Sequence, residues 1–321
     1  MRRLAVIDCY MNDRHRGMVR EAAERYGFSV SFYGSAAEAL PEAADFEVLF
    51  GCDCPEVVRA AENLKWFACA YAGIDPYVSD GVWGNPACLL SNSAGAYGTA
   101  IAEYVVMALL MLLRRMPEYG RIRSEKEWRR LSPVRSVQGL RVLVAGMGDV
   151  GTETARRLKA LGASVRGLRR DRSRGGDPAF DAVYAAGDLD ALLPETDALI
   201  LCLPGTAETR RTVGREQLAL LPRGSYLINV GRGPAVDPGA LTEALESGRL
   251  AGAALDVTDP EPPASDSPLW TLPNLILTPH CAGDMALSHT CDRVVEMFLE
   301  DLPRYATGEP LLHRANRRRG Y

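Results

Sequence analysis

Val142-Leu143-Val144-Ala145-Gly146-Met147-Gly148-Asp149-Val150-Gly151 is the stretch on which the reading of this chain turns. Four apolar residues, two of them β-branched, run into three glycines, and a helical pattern follows over 152–161. A glycine turn says little by itself, but one that leaves a strand and opens a helix is the context of a dinucleotide-binding turn. Gly146 allows the tight turn, Gly148 lets the backbone approach a pyrophosphate, and Gly151 permits close packing of helix on strand. The helix N-terminus then carries the phosphate charge. Met147, Asp149 and Val150 complete the turn and count with the glycines as cofactor-binding residues.

The next strand, at 164–168, runs into Arg169-Arg170. A chain that binds NAD places an acid there for the ribose hydroxyls. Paired guanidinium donors suit a 2′-phosphate, which a carboxylate would repel. Asp171 comes two residues late. The cofactor expected is therefore NADP(H), with NAD(H) left open.

Outward from this turn the chain alternates in two blocks. Before it, strands are expected at 4–7, 28–33, 48–50, 66–70 and 88–90, with helical stretches at 21–26, 36–43 and 55–62. After it, strands are expected at 141–145, 164–168, 198–203, 226–230, 253–257 and 275–277, and helices at 150–161, 189–193, 215–221, 238–247 and 286–305. Such alternation predicts an α/β protein with two doubly wound parallel sheets, helices on both faces of each. The apolar segment 101–113 reads as a buried helix tying the two domains together. The arginine-rich segment 121–135 reads as a solvated or subunit-contact stretch with Trp128 as its one large anchor.

Composition narrows the class. At 321 residues the chain exceeds one ordinary core. Its 47% hydrophobic and 24% charged residues describe a globular protein. A net charge of −4 offers no basic field for nucleic acid. Eight cysteines without framework or metal spacing read as reduced thiols. Met1-Arg2-Arg3 resembles the start of a signal peptide, but Asp8 breaks the apolar run after it and no stretch reaches membrane-spanning length. A cytoplasmic location without membrane or nucleic-acid partners is expected, and no metal.

Three further segments close predicted strands: Asn229-Val230-Gly231-Arg232-Gly233, Leu255-Asp256-Val257-Thr258-Asp259-Pro260-Glu261-Pro262 and Thr278-Pro279-His280. Strand C-termini of an open parallel sheet face the ligand crevice. An arginine, a carboxylate and a histidine delivered there suit a 2-oxo acid. Hydride reaching C2 leaves negative charge on oxygen, which a cation stabilises and a proton donor quenches. Arg232 has the fork of donors for carboxylate and carbonyl. His280 is the acid/base candidate, because His15, His289 and His313 fall in segments that read as helical or terminal surface. Glu261 would hold the imidazolium in place.

These segments resemble the D-isomer-specific 2-hydroxyacid dehydrogenases, nearest their glyoxylate/hydroxypyruvate reductase branch. The resemblance extends through Tyr71-Ala72-Gly73-Ile74-Asp75, the 92–110 stretch with Glu103, Leu201-Cys202-Leu203-Pro204, Pro268-Leu269-Trp270 and the closing Gly320-Tyr321. It implies that Arg232, Glu261 and His280 are catalytic and that Ala72 and Gly73 hold the substrate carboxylate through their N–H groups. It places Asp256 near the nicotinamide carboxamide, and Leu203, Pro204, Thr209, Val230 and Gly231 along the cofactor. It also implies a flavodoxin-like substrate domain over 1–96 and 287–321, a Rossmann cofactor domain over 97–286, and a homodimer. Cys281 reads as a small filler.

The function expected is reduction of a small 2-oxo acid (glyoxylate, hydroxypyruvate or phenylpyruvate) to the D-2-hydroxy acid. The side facing the substrate's C3 would draw on residues 51–55 and Met285, which supply no evident phosphate anchor. A formate-dehydrogenase-like activity would pair the histidine with glutamine, where this chain has Glu261. An NAD(P)-sensing regulator of the corepressor kind would keep the cofactor site but need a partner groove, for which no disordered tail speaks. An NADH-dependent dehydrogenase of the same fold is the third alternative.

Overall fold

In the computed structural model the described residues are 2–7, 10–171 and 176–320. Met1, Asp8, Cys9 and Tyr321, on which some of the readings above fall, lie outside them. The chain divides into one unit of Met1–Tyr97 with Asp284–Tyr321 and a second of Gly98–Gly283.

The first unit is built on β1 (Arg2–Ile7), β2 (Phe28–Tyr33), β3 (Val48–Gly51), β4 (Trp66–Cys69) and β5 (Leu89–Asn92). They form one parallel sheet in the order β2-β1-β3-β4-β5. This is the flavodoxin-like order, with its switch point between β1 and β3. The strands read as apolar runs because both faces are covered. Helices α1 (Asp13–Arg25), α2 (Ala36–Ala39) and α3 (Pro55–Ala60) connect them. The C-terminal helix, α10 (Ser288–Thr307), belongs to this unit: Phe298 stacks on Phe50 with ring centroids 4.2 Å apart and on Trp66 at 5.3 Å.

Helix α1 begins eight residues before the sequence expectation. Its start is set by Asn12, whose Oδ1 accepts the His15 N–H at 3.0 Å while the Asn12 N–H donates to His15 Nδ1 at 3.4 Å. His15 is therefore not a surface residue; it is buried, with Nε2 2.7 Å from Asp292 on α10. That partner lies 277 residues away, beyond the reach of any local pattern.

The second unit holds β6 (Arg141–Ala145), β7 (Ser164–Arg169), β8 (Ala182–Ala185), β9 (Ala198–Leu201), β10 (Ser225–Asn229), β11 (Leu250–Leu255) and β12 (Leu275–Leu277). Their order is β12-β11-β10-β9-β6-β7-β8, parallel throughout. This is the Rossmann arrangement with one added strand, and the switch point lies between β6 and β9, where the glycine turn sits. Edge strand β8 was not anticipated; its four residues are all half-exposed and too few to show a pattern. Around the sheet lie α4 (Gly98–Leu113), α5 (Met116–Ser124), α6 (Asp149–Ala160), α7 (Leu189–Leu192), α8 (Arg215–Leu220) and α9 (Pro238–Glu246).

Two expectations for this unit are corrected. Helix α4 is buried along one face only; Met107 and Leu110 are exposed and, with Val106, Met111 and Leu161, leave an apolar strip against α6. The sequence marks that open face only through Glu103, a single exposed acid in an otherwise apolar run. Trp128 is not an anchor within the chain but is fully exposed, because its neighbours from Glu125 to Arg130 are charged and offer nothing apolar to pack on.

At the foot of the sheet Asp197, nearly buried, accepts from Arg135 Nη2 at 3.0 Å, Arg141 Nε at 2.9 Å and the Arg141 N–H at 3.0 Å. Burial alone would raise its carboxyl, but these donors outweigh burial and hold it at about 2. A folded-state value below the unfolded one stabilises the fold above about pH 4, and the contribution is lost as pH falls toward 2. Asp197→Asn is expected to cost about 2 kcal/mol at neutral pH. Melting temperatures from pH 7 down to 2 check this; a wild-type-to-variant gap that does not narrow below pH 4 would refute it.

Candidate active site

Four loops meet at the C-terminal edge of the second sheet, backbone against backbone. Gly146, at φ 101°, leaves no room for a side chain, since a Cβ there would lie 2.4 Å from the Cys202 carbonyl oxygen. A Cβ at Gly151 would lie 1.9 Å from the Gly146 oxygen, so helix α6 is seated directly on the turn. Gly231 presses likewise on Leu203, at 2.5 Å from its oxygen. Gly148 differs: nothing lies within 4 Å of where its Cβ would be, and it heads α6 with no side chain capping the first N–H groups. Open space over uncapped donors at a twelve-residue helix fits a dinucleotide pyrophosphate.

Not every residue of the turn faces that space. Met147 packs its sulfur over Gly167, and Val150 joins the core. The Asp149 carboxylate lies against the N–H of Gly98, the first residue of α4, and burial raises its pKa. A carboxylate turned to the pyrophosphate would repel it; this one is engaged elsewhere. At the end of β7 Arg169 is half-buried and Arg170 exposed, with the Glu208 carboxylate near enough to feel the charge of Arg170. The Thr209 hydroxyl is spent inside its own loop, donating to the Pro204 carbonyl at 2.6 Å and accepting from the Thr206 N–H at 2.9 Å.

The Arg232 turn is braced by Asn229, which is fully buried. Its Oδ1 accepts from the Gly231 N–H at 3.1 Å and its Nδ2 donates to the Arg232 carbonyl at 3.0 Å. Arg232 Nη1 donates to the Gly231 carbonyl at 2.8 Å. The next residue, Gly233, is so close to the following loop that a Cβ would fall 1.8 Å from the Thr258 oxygen. That contact sets the arginine loop beside the loop carrying the glutamate.

Glu261 uses both oxygens. Oε2 accepts from the Thr258 N–H at 3.2 Å, and Oε1 lies 2.6 Å from His280 Nδ1. The imidazole is thus held by one nitrogen, and Nε2 makes no hydrogen bond among the described residues. His280 sits at φ 53°, in the left-handed region that a histidine adopts at a cost of about 1–3 kcal/mol. The buried Asp256 enforces it: its carbonyl accepts the His280 N–H at 2.8 Å, and its carboxylate accepts the Cys281 and Ala282 N–H groups, each at 2.9 Å. Thr278 Oγ1 donates to the same carboxylate at 2.7 Å and lies 2.6 Å from the Tyr104 hydroxyl. The Asp256 carboxylate therefore builds the histidine turn. The bracing role of Asn229 does not show in the segment that contains it, and Tyr104 shows only as a hydroxyl beside Glu103 in a largely apolar helix.

In the first unit, residues 71–73 leave β4 as a half-exposed loop. Asn92 Nδ2 holds the Ala72 carbonyl at 2.6 Å, and the Tyr71 carbonyl accepts from the Ser93 N–H at 3.1 Å. The Ala72 and Gly73 N–H groups have no acceptor among the described residues. Met285, expected to line the substrate side, is buried.

Residues 106–282 match the model of the NAD-binding domain of the D-isomer specific 2-hydroxyacid dehydrogenases. The chain belongs to this family. The dehydrogenase is 34% identical over 224 residues to glyoxylate/hydroxypyruvate reductase A of Salmonella newport, covering 70% of each chain. It is 32% identical over 262 residues to the D-3-phosphoglycerate dehydrogenase of Archaeoglobus fulgidus, covering 81% of this chain and 49% of that one. Among solved structures, it resembles the NADPH-dependent glyoxylate/hydroxypyruvate reductase of Sinorhizobium meliloti in complex with NADP and sulfate, with 28% identity, a TM-score of 0.84 and full coverage of both chains. The dehydrogenase is an NAD(P)-dependent oxidoreductase of the 2-oxo/2-hydroxy acid class. None of its described helices is long and apolar enough to cross a membrane.

Proposed function

We propose that this dehydrogenase reduces a small, unphosphorylated 2-oxo acid such as glyoxylate or hydroxypyruvate to the D-2-hydroxy acid, with NADPH preferred. The observation that carries it is the Glu261–His280 pair at 2.6 Å, with the second imidazole nitrogen left for a substrate oxygen. When bound, the reduced nicotinamide supplies the hydride for C2. The Arg232 guanidinium takes the substrate's carboxylate and carbonyl oxygen, stabilising the charge that builds on the latter. His280 Nε2 gives that oxygen its proton, and Glu261, 2.6 Å from Nδ1, keeps the ring oriented. The Ala72 and Gly73 N–H groups are assigned the carboxylate as well.

The NADPH preference rests on Arg169 and Arg170 at the end of β7, the position where an NAD-binding chain carries an acid. The relative from Sinorhizobium meliloti, named NADPH-dependent, supports it. Initial rates for glyoxylate, hydroxypyruvate and phenylpyruvate with each coenzyme test the whole reading. Turnover of none of them would leave a nucleotide-sensing protein. Arg169→Asp is expected to lower kcat/KM for NADPH about tenfold to a hundredfold, the worth of a lost charge-assisted contact, and to leave NADH favoured. A wild-type enzyme already faster with NADH would refute the coenzyme assignment.

A further inference from the structure

Where β4 runs out into the Ala72-Gly73 loop, successive carbonyls are all taken by donors from one short stretch at the end of β5. The Cys69 carbonyl accepts from the Ser93 hydroxyl at 3.2 Å and the Ala70 carbonyl from the Tyr97 hydroxyl at 2.8 Å. The Tyr71 carbonyl accepts from the Ser93 N–H at 3.1 Å and the Ala72 carbonyl from Asn92 Nδ2 at 2.6 Å. Asn92, Ser93 and Tyr97 are buried, whereas residues 71–73 are half-exposed.

Asn92 is itself fixed. Its N–H donates to the His313 carbonyl at 3.1 Å, and the Ala315 N–H donates to the Leu90 carbonyl at 2.9 Å, so that residues 313–315 run antiparallel to β5. The buried Asp301 of α10 sets that segment, accepting from the Leu312 N–H at 2.6 Å and the His313 N–H at 3.1 Å.

A trans peptide points its N–H opposite to its C=O. A donor on the Tyr71 carbonyl therefore aims the Ala72 N–H the other way, and a donor on the Ala72 carbonyl does the same for the Gly73 N–H. Hydrogen bonding at the carbonyl also polarises the peptide and makes its N–H a stronger donor.

We infer that Asn92, Ser93 and Tyr97 are positioning residues, which hold the carbonyls of residues 69–72 so that the Ala72 and Gly73 N–H groups stand ready for the carboxylate of the 2-oxo acid. The inference rests on the proposed function. A carboxylate keeps its charge through hydride transfer, so a contact to it is equally strong in the ground and transition states. Loosening that contact raises KM and spares kcat.

The test compares wild type with Asn92→Ala and with Ser91→Ala. The second variant removes the acceptor of the Trp66 indole N–H, 2.9 Å away, but no donor to residues 69–72. The readouts are KM and kcat for glyoxylate at saturating NADPH, the KM for NADPH, the melting temperature, and the Kd of the NADPH complex for oxamate, an unreactive carboxylate. Asn92→Ala is expected to raise the KM for glyoxylate and the Kd for oxamate together by about threefold to tenfold, the effect of one hydrogen bond, with kcat and the KM for NADPH unchanged. Ser91→Ala is expected to melt earlier with both constants at wild-type values. Unchanged constants in Asn92→Ala, or an equal rise in Ser91→Ala, overturn the inference and spare the proposed function. Should Asn92→Ala fail to fold, Tyr97→Phe, which loses only a hydroxyl, decides in its place: a rise in both constants supports the inference and no rise overturns it. A wild-type protein that neither reduces a 2-oxo acid nor binds oxamate overturns both.

Discussion

His280→Ala is expected to lower kcat by a factor of about a hundred to ten thousand with any 2-oxo acid the enzyme accepts, the usual worth of a positioned general acid. The side chain has one nitrogen tied to Glu261 at 2.6 Å and the other open, so removing it takes the proton from the developing alkoxide while leaving the cofactor loops intact. KM should change little. Alanine carries an added penalty at φ 53°, and His280→Asn serves as control because asparagine tolerates that backbone. Both variants should lose kcat alike even if only the alanine form melts earlier. Steady-state kinetics of the two check this, and activity near wild type in either removes His280 from the proton transfer.

Arg232→Gln is expected to reduce kcat/KM by about a thousandfold, since one oxyanion donor is worth about a hundred- to a thousandfold and the carboxylate contact is lost with it. The backbone should not suffer, because Asn229 holds the Gly231 and Arg232 peptides independently of the guanidinium. Arg232→Lys should recover only part of the loss: an ammonium brings the charge but not the planar fork. Equal rates for the lysine variant and wild type would show that charge alone suffices and that two-point recognition is wrong.

Much of this was legible in the sequence because the signals are local. The order of apolar runs and helical stretches marks each sheet, and strand β6, the glycine turn and the opening of α6 are contiguous. Arg232, Glu261 and His280 could be singled out because each follows a strand at the edge where parallel sheets present ligand-binding loops. Other features were silent. The burial of His15 depends on Asp292, the left-handed turn at His280 depends on three donors to Asp256, and Trp128 reads as an anchor until nothing is found beneath it.

By itself, then, the amino-acid order determined the class of fold, the kind of cofactor loop and the types of side chain available to the chemistry, since these follow from periodicity, glycine spacing and residue identity along a few consecutive positions. Only the tertiary structure decided which donors each carboxylate engages: Asp149 turned to Gly98 and Asp256 inside the histidine turn. The reason is physical. A carboxylate's role depends on the donors that reach it, and those donors are brought from distant positions by packing that no short window of sequence contains.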